Sequence, residues 1–167
     1  MASSDKLYLV GFLGAGKSSV GRALGLRLGW RVIDVDEWIE ARERQSVADI
    51  FAARGELAFR ALEREAVRAV LPARHVVVAT GSGTFADPTN RTSMLEDGTV
   101  IWLDAPFDTL VARVPPDGRR PLAKDRDQFA ALFASRLATY RLAHLRIDTA
   151  AAAVDEVVER ILDRLGW

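Results

Sequence analysis

The chain has 167 residues, 49% of them hydrophobic and 28% charged, the profile of one ordinary globular domain. Lys and Arg together number 23, as do Asp and Glu, so there is no global positive field for nucleic acid or an anionic membrane, and any anion must be held by a local cluster. The absence of cysteine excludes disulfides, thiolate metal sites and cysteine nucleophiles.

The opening MASSDK shows no basic stretch leading into an apolar one, so no secretory leader is read. No run reaches the ~18 apolar residues of a membrane span. A cytoplasmic enzyme is the expected class. In chain order, LYLVGF (7–12) reads as a buried strand ending in glycine. After Lys17, Val20, Leu24 and Leu28 recur at helical spacing, and RVIDV (31–35) reads as a second strand. Ser46 followed by Asp49 resembles a capping box ahead of Val47, Ile50 and Phe51. A longer helix is expected from about Glu56 to Leu71, with Phe59, Leu62, Ala66 and Val70 on one side. HVVVA (75–79), TVIWL (99–103) and LRIDT (145–149) complete five strands, and a C-terminal helix lines up Val154, Val157, Val158, Ile161, Leu162 and Leu165. Strands alternating with helices imply an α/β fold whose parallel sheet is covered on both faces, with ligands at the carboxyl ends of the strands.

Every distinctive motif falls at such an end. Residues 11–18, GFLGAGKS, are a complete G-x-x-x-x-G-K-[ST] phosphate loop between a strand and a helix. The glycines let backbone N–H groups turn inward onto phosphates, and the following helix points its positive end at the same anion. Lys17 can bridge the β- and γ-phosphates and the Ser18 hydroxyl can ligate Mg²⁺. The loop therefore indicates ATP or a similar nucleotide with Mg²⁺, but not the acceptor.

Asp34 and Asp36 close the second strand. Residues i and i+2 of a strand share a face, so the pair is expected to point into one cleft and divide metal holding from acceptor activation. The other reading is a solvated turn with Asp36 capping the next helix. Arg60 and Arg136 each sit beside an apolar helical stripe, a place for a bidentate carboxylate ligand or for an internal ion pair. The stretch 115–127, PPDGRRPLAKDRD, reads as a mobile loop that either closes over the phosphates as a lid or is merely a solvated surface loop, and Gly81-Ser82-Gly83 as a turn that a ligand approaches closely or as a plain tight turn.

Taken in order, these pieces resemble shikimate kinases. The family pattern of phosphate loop, D-x-D, G-E-x-x-F-R, G-G-G, R-P-L, R-x-x-x-Y and a terminal D-T is matched by GFLGAGKS, Asp34-Val35-Asp36, Gly55-Glu56 with Phe59-Arg60, Gly81-Ser82-Gly83, Arg120-Pro121-Leu122, Arg136 with Tyr140, and Asp148-Thr149. The resemblance spans about Leu7 to Thr149. It implies a three-layer P-loop kinase fold with a five-stranded parallel sheet, one domain over 1–167, an acceptor-binding region over 34–71 and a lid over 115–127. The implied reaction is transfer of the γ-phosphate of ATP to the shikimate 3-hydroxyl, on the route to aromatic amino acids, by a monomer without nucleic-acid or membrane partners.

The resemblance also assigns residues. Lys17, Asp36 and Arg120 are read as catalytic, with Asp36 as base and Arg120 reaching the transferring phosphate from the lid. Gly11, Gly14, Ala15, Gly16, Lys17, Ser18, Ser19, Arg113 and Arg120 form the nucleotide side. Asp36, Arg60, Gly81, Ser82, Gly83 and Arg136 form the acceptor side, and Ser18 and Asp34 hold Mg²⁺. Two departures stand out. Ser82 replaces the middle glycine, which would strain a left-handed position or narrow the pocket. The run AAAAV (150–154) replaces the Arg and Pro usual near the adenine, which implies looser base recognition. Other readings are a kinase of a related hydroxy acid or nucleoside monophosphate, and a non-catalytic nucleotide-binding module.

Overall fold

The structure, a computed structural model, describes residues 5–114 and 126–167. Strands β1 (Lys6–Val10), β2 (Arg31–Asp34), β3 (Val76–Ala79), β4 (Thr99–Asp104) and β5 (Leu145–Asp148) form one sheet in the order β2-β3-β1-β4-β5, and every pairing is parallel. The helices are α1 (Lys17–Leu28), α2 (Val35–Glu43), α3 (Val47–Val70), α4 (Pro88–Asp97), α5 (Phe107–Arg113), α6 (Arg126–Tyr140) and α7 (Val154–Leu165). All of β1 and β3 is buried, as their β-branched and aliphatic runs require of central parallel strands. The five expected strands are all present, with ends shifted by one or two residues.

Alternation along β1 separates the two faces. Leu9 meets Gly21 of α1. Tyr8 and Lys6 point the other way, to the ends of α4 and α3. Lys6 is wholly buried. Its ammonium donates to the carbonyls of Val70 and Leu71 at 2.8 Å each and to Asp97 at 2.6 Å. A cation thus satisfies the C-terminal carbonyls of α3, the favourable end of the helix dipole for positive charge. Helix α3 is two helices joined at Gly55, whose φ of 82° and ψ of 174° are non-helical. Only glycine adopts that combination without strain, which explains the separate helical stripes read on either side of it.

Two expectations are corrected. Strand β2 ends at Asp34, which is the N-cap of α2 and accepts from the Glu37 N–H at 3.1 Å. Asp36 therefore lies in the first turn of a helix and does not share a strand face with Asp34. Arg126 and Asp127, read as the end of the lid, begin α6. The rest of that loop, 115–125, with Arg120, lies outside the described residues.

Just before β5, the Nδ1 of His144 accepts a hydrogen bond from the Val100 N–H of β4 at 2.9 Å. Partial burial holds the ring below its ordinary pKa. A lowered pKa means that the fold favours the neutral ring, so this contribution is complete above the ordinary value of ~6.5 and is lost as pH falls through the lower folded value. His144→Asn keeps an acceptor without titrating. The Tm difference between the two proteins is expected to be flat above pH 7 and to move in the variant's favour below ~6.5; parallel Tm–pH curves would remove His144 from the acid response.

Candidate active site

The phosphate loop leaves β1 and enters α1. Gly16 is the N-cap of α1, with φ 89° and no side-chain cap. The first N–H groups of α1 are thereby left for an anion. Lys17 is buried, and its ammonium donates to the carbonyls of Gly11 at 2.6 Å and Phe12 at 2.9 Å, holding the loop's backbone around the charge. Gly14, Ala15, Gly16, Lys17, Ser18 and Ser19 line one cleft. Gly11 does not line it. A Cβ there would stand 2.7 Å from the Leu103 carbonyl, so this glycine lets the loop pass close to β4.

Ser18 donates its hydroxyl to the Asp34 carboxylate, and both border the same cleft. Among the described residues no group of three or more His, Cys, Asp or Glu converges. Two adjoining oxygen donors suit Mg²⁺, which keeps waters and is completed by substrate phosphates rather than enclosed by protein. Arg113 borders the cleft as well and ties the loop to the end of β5. It donates to the Gly14 carbonyl at 3.4 Å and the Thr149 carbonyl at 3.1 Å.

A second cavity adjoins the first. Leu13, Val47, Phe51 and Phe59 give it an apolar wall, and Asp36, Arg60, Glu63 and the Gly81-Ser82-Gly83 turn supply its polar groups. Leu13, Asp36, Gly81 and Ser82 border both spaces. A polyol with a negative group fits such a surface.

The polar side of this cavity is a network. Arg60 donates to Glu63 at 2.6 Å and to Glu56 at 3.3 Å. Glu63, 1% exposed, also accepts from Thr84 at 2.6 Å, and Thr84 accepts from the Gly81 N–H at 3.0 Å. Burial pushes the Glu63 carboxyl above the usual range while Arg60 and Thr84 pull it back. Burial likewise opposes the Arg60 charge, and Glu63 and Glu56 together more than restore it. Glu63 and Thr84 were not singled out in the sequence. The available signal was an acid three residues after Arg60 beside the apolar stripe of α3.

Arg136, 8% exposed, does not line the cavity directly. Its Nη1 donates to the Ser82 carbonyl at 2.9 Å and lies 3.3 Å from the Ser82 hydroxyl. Tyr140 donates to the same carbonyl at 2.7 Å, and burial keeps its phenol protonated by pushing its pKa up. Ser82 is not among the residues with positive φ, so the feared backbone strain is absent. The neighbouring glycines answer to crowding. A Cβ on Gly83 would stand 2.6 Å from Cζ of Arg60, and one on Gly81 3.0 Å from both Asp36 and Glu63.

A nucleotide loop at the end of β1, meeting a small cavity that holds an acid and an arginine, defines a P-loop phosphotransferase acting on a small acceptor. The shikimate kinase family model matches residues 13–166. The chain belongs to the shikimate kinase family, and its activity is the ATP-dependent phosphorylation of shikimate.

The shikimate kinase of Persephonella marina is 42% identical over 160 residues, covering 95% of this chain and 98% of that one. The Geobacter metallireducens enzyme is 43% identical, with 96% and 91% covered. The solved shikimate kinase of Acinetobacter baumannii, in complex with shikimate, superposes with a TM-score of 0.94 at 31% identity, over 98% of this chain and 93% of that one. A deoxyadenosine kinase of M. mycoides, at TM-score 0.68 and 15% identity, shares the fold alone.

Proposed function

We propose that the γ-phosphate of ATP passes to the 3-hydroxyl of shikimate where the two cavities share Asp36 and the Gly81-Ser82 turn. The observation that carries this reading is that shared wall: one carboxylate borders both the phosphate cleft and the acceptor cavity. Shikimate's carboxylate is directed to Arg60 and to the turn anchored by Arg136. Its hydroxyls face Asp36, which takes the proton as the oxygen attacks phosphorus. Lys17 and the loop N–H groups stabilise charge on the phosphates. Ser18 and Asp34 hold Mg²⁺, which when bound neutralises phosphate charge.

The nucleoside lies in the space of about 820 Å³ bordered by Arg113, Thr149 and Ala152 to Val154. Its alanine and valine side chains offer contact without hydrogen bonds to the base, in keeping with loose base recognition. The same reading makes residues 1–167 a single domain and 34–71 the acceptor-binding region; the lid it calls for, over 115–125 with Arg120, lies outside the described residues. It also makes the protein a cytoplasmic monomer; among the described residues no helix is long and apolar enough to cross a membrane.

The test is ADP formation from MgATP with and without shikimate, with the product's phosphate position read by phosphorus–proton NMR. Shikimate-dependent ADP release that stops on chelation of Mg²⁺, with phosphate on O3, is expected. ATP binding without shikimate-dependent turnover would overturn the reading.

Gly83→Ala gives a sharper check on Arg60. The backbone at Gly83, φ −103° and ψ −5°, accepts alanine without strain. The clash falls on the end of the Arg60 side chain, so the guanidinium must leave the cavity and, with it, the buried Glu63 carboxylate. The shikimate KM is expected to rise roughly tenfold or more through loss of a charge-assisted bond, with a drop in Tm that reports the separation of Arg60 from the buried Glu63. An unchanged KM would remove Arg60 from acceptor binding.

A further inference from the structure

Ser82 stands between Arg136 and the acceptor cavity. Its side chain belongs to a residue that borders the cavity, whereas Arg136 reaches that residue from α6. The guanidinium Nη1 lies within hydrogen-bond reach of the hydroxyl at 3.3 Å and of the carbonyl at 2.9 Å. A guanidinium only donates, so the hydroxyl oxygen is the acceptor in that contact. Its own proton is then left to point elsewhere. The Ser82 carbonyl already takes bonds from both Arg136 and Tyr140, and Ser82 borders the acceptor cavity and the phosphate cleft beside it. A donor whose oxygen is itself hydrogen-bonded to a buried cation is polarised and strengthened.

We infer that the Ser82 hydroxyl is a specificity-determining donor to the acceptor's carboxylate, relaying the positive charge of Arg136 into the cavity. This rests on shikimate being the acceptor. Alanine at this position removes the donor and leaves a methyl group between Arg136 and the ligand. Glycine removes the obstacle too, so Arg136 can approach the carboxylate itself. The order of the two variants therefore separates a relay from a packing role, because loss of packing alone would make glycine at least as harmful as alanine.

The experiment measures kcat and both KM values for wild type, Ser82→Ala and Ser82→Gly, with shikimate and with its methyl ester, after circular dichroism has shown each variant folded. Ser82→Ala is expected to raise the shikimate KM roughly tenfold, the loss of one hydrogen bond to a charged group, with kcat and the ATP KM within about twofold. Ser82→Gly is expected nearer to wild type, and the Ala effect is expected to shrink to about twofold or less with the uncharged ester. An unchanged shikimate KM in Ser82→Ala, a Gly variant worse than the Ala variant, or an equal Ala effect on the ester would each overturn the relay. If Ser82→Ala fails to fold, Ser82→Cys, which keeps the bulk but only a weak donor, takes its place: a rise in the shikimate KM that shrinks with the ester supports the relay, and an unchanged shikimate KM or an equal loss on both acceptors overturns it. Absence of shikimate-dependent turnover in the wild type would instead overturn the acceptor assignment, and the relay with it.

Discussion

Asp36→Asn is expected to lower kcat by roughly 10²–10⁴-fold, the range for removal of a general base, while leaving the affinity for ATP nearly intact. Asp36 lies in the first turn of α2 and borders both the phosphate cleft and the acceptor cavity. Asparagine has the same shape, so the wall keeps its form, but its amide cannot take the acceptor's proton. Loss of a negative charge at a helix N-terminus removes a few tenths of a kcal/mol of favourable dipole interaction, too little to unfold the domain. Steady-state turnover at saturating MgATP and shikimate, beside calorimetric titration of ATP, checks both halves. A parallel loss of ATP affinity would move Asp36 to the nucleotide side, and near wild-type kcat would end its assignment as base.

The fold was legible wherever one residue type dominated a segment. The runs around Tyr8, Val77 and Ile101 are buried on both faces and announce central parallel strands. The phosphate loop was legible because its function needs a fixed order of glycines and one lysine. The place of Asp36 was misread because the D-x-D spacing looks the same on a strand or a helix start, and only the hydrogen bond from Glu37 to Asp34 decides between them. Helices α4 and α5 escaped the reading because they are short, and α4 is mostly polar as well; α4 is fixed by Pro88 at its start and by Asp87 accepting from the N–H groups of Thr89 and Asn90. Lys6 carries a buried charge whose partners lie far off in sequence, and Glu63 is joined to Thr84 of the distant turn. No periodicity encodes such a pairing.

The acceptor cavity shows the same division. Its residue types were readable, and Arg60, Arg136 and the Gly81–Gly83 turn do come together. What the sequence could not show is the sequence of contacts. Arg60 is set by Glu63, which is bridged through Thr84 to the Gly81 N–H, while Arg136 meets the turn at Ser82. The turn is thus a junction on which two arginines from α3 and α6 converge, where Gly83 makes room for Arg60 and Gly81 for Asp36 and Glu63.

Lys17→Ala carries the second large effect. The ammonium is buried against the Gly11 and Phe12 carbonyls, so its removal takes away both a charge beside the phosphates and two bonds that shape the loop. Removing one well-placed donor to developing charge costs roughly 10²–10³-fold in kcat, and the lost loop bonds add to that. A decrease in kcat/KM for ATP of roughly 10³-fold or more is therefore expected. Lys17→Met keeps most of the side-chain volume and separates the two causes. If charge dominates, methionine is as inactive as alanine although its loop is better filled; if loop shape dominates, methionine recovers much of the rate. Weak ATP binding should persist in both, because the loop N–H groups and the start of α1 still face the phosphates. Near-normal turnover in both variants would mean that Lys17 does not touch the transferring group, and the phosphate-loop assignment would fall with it.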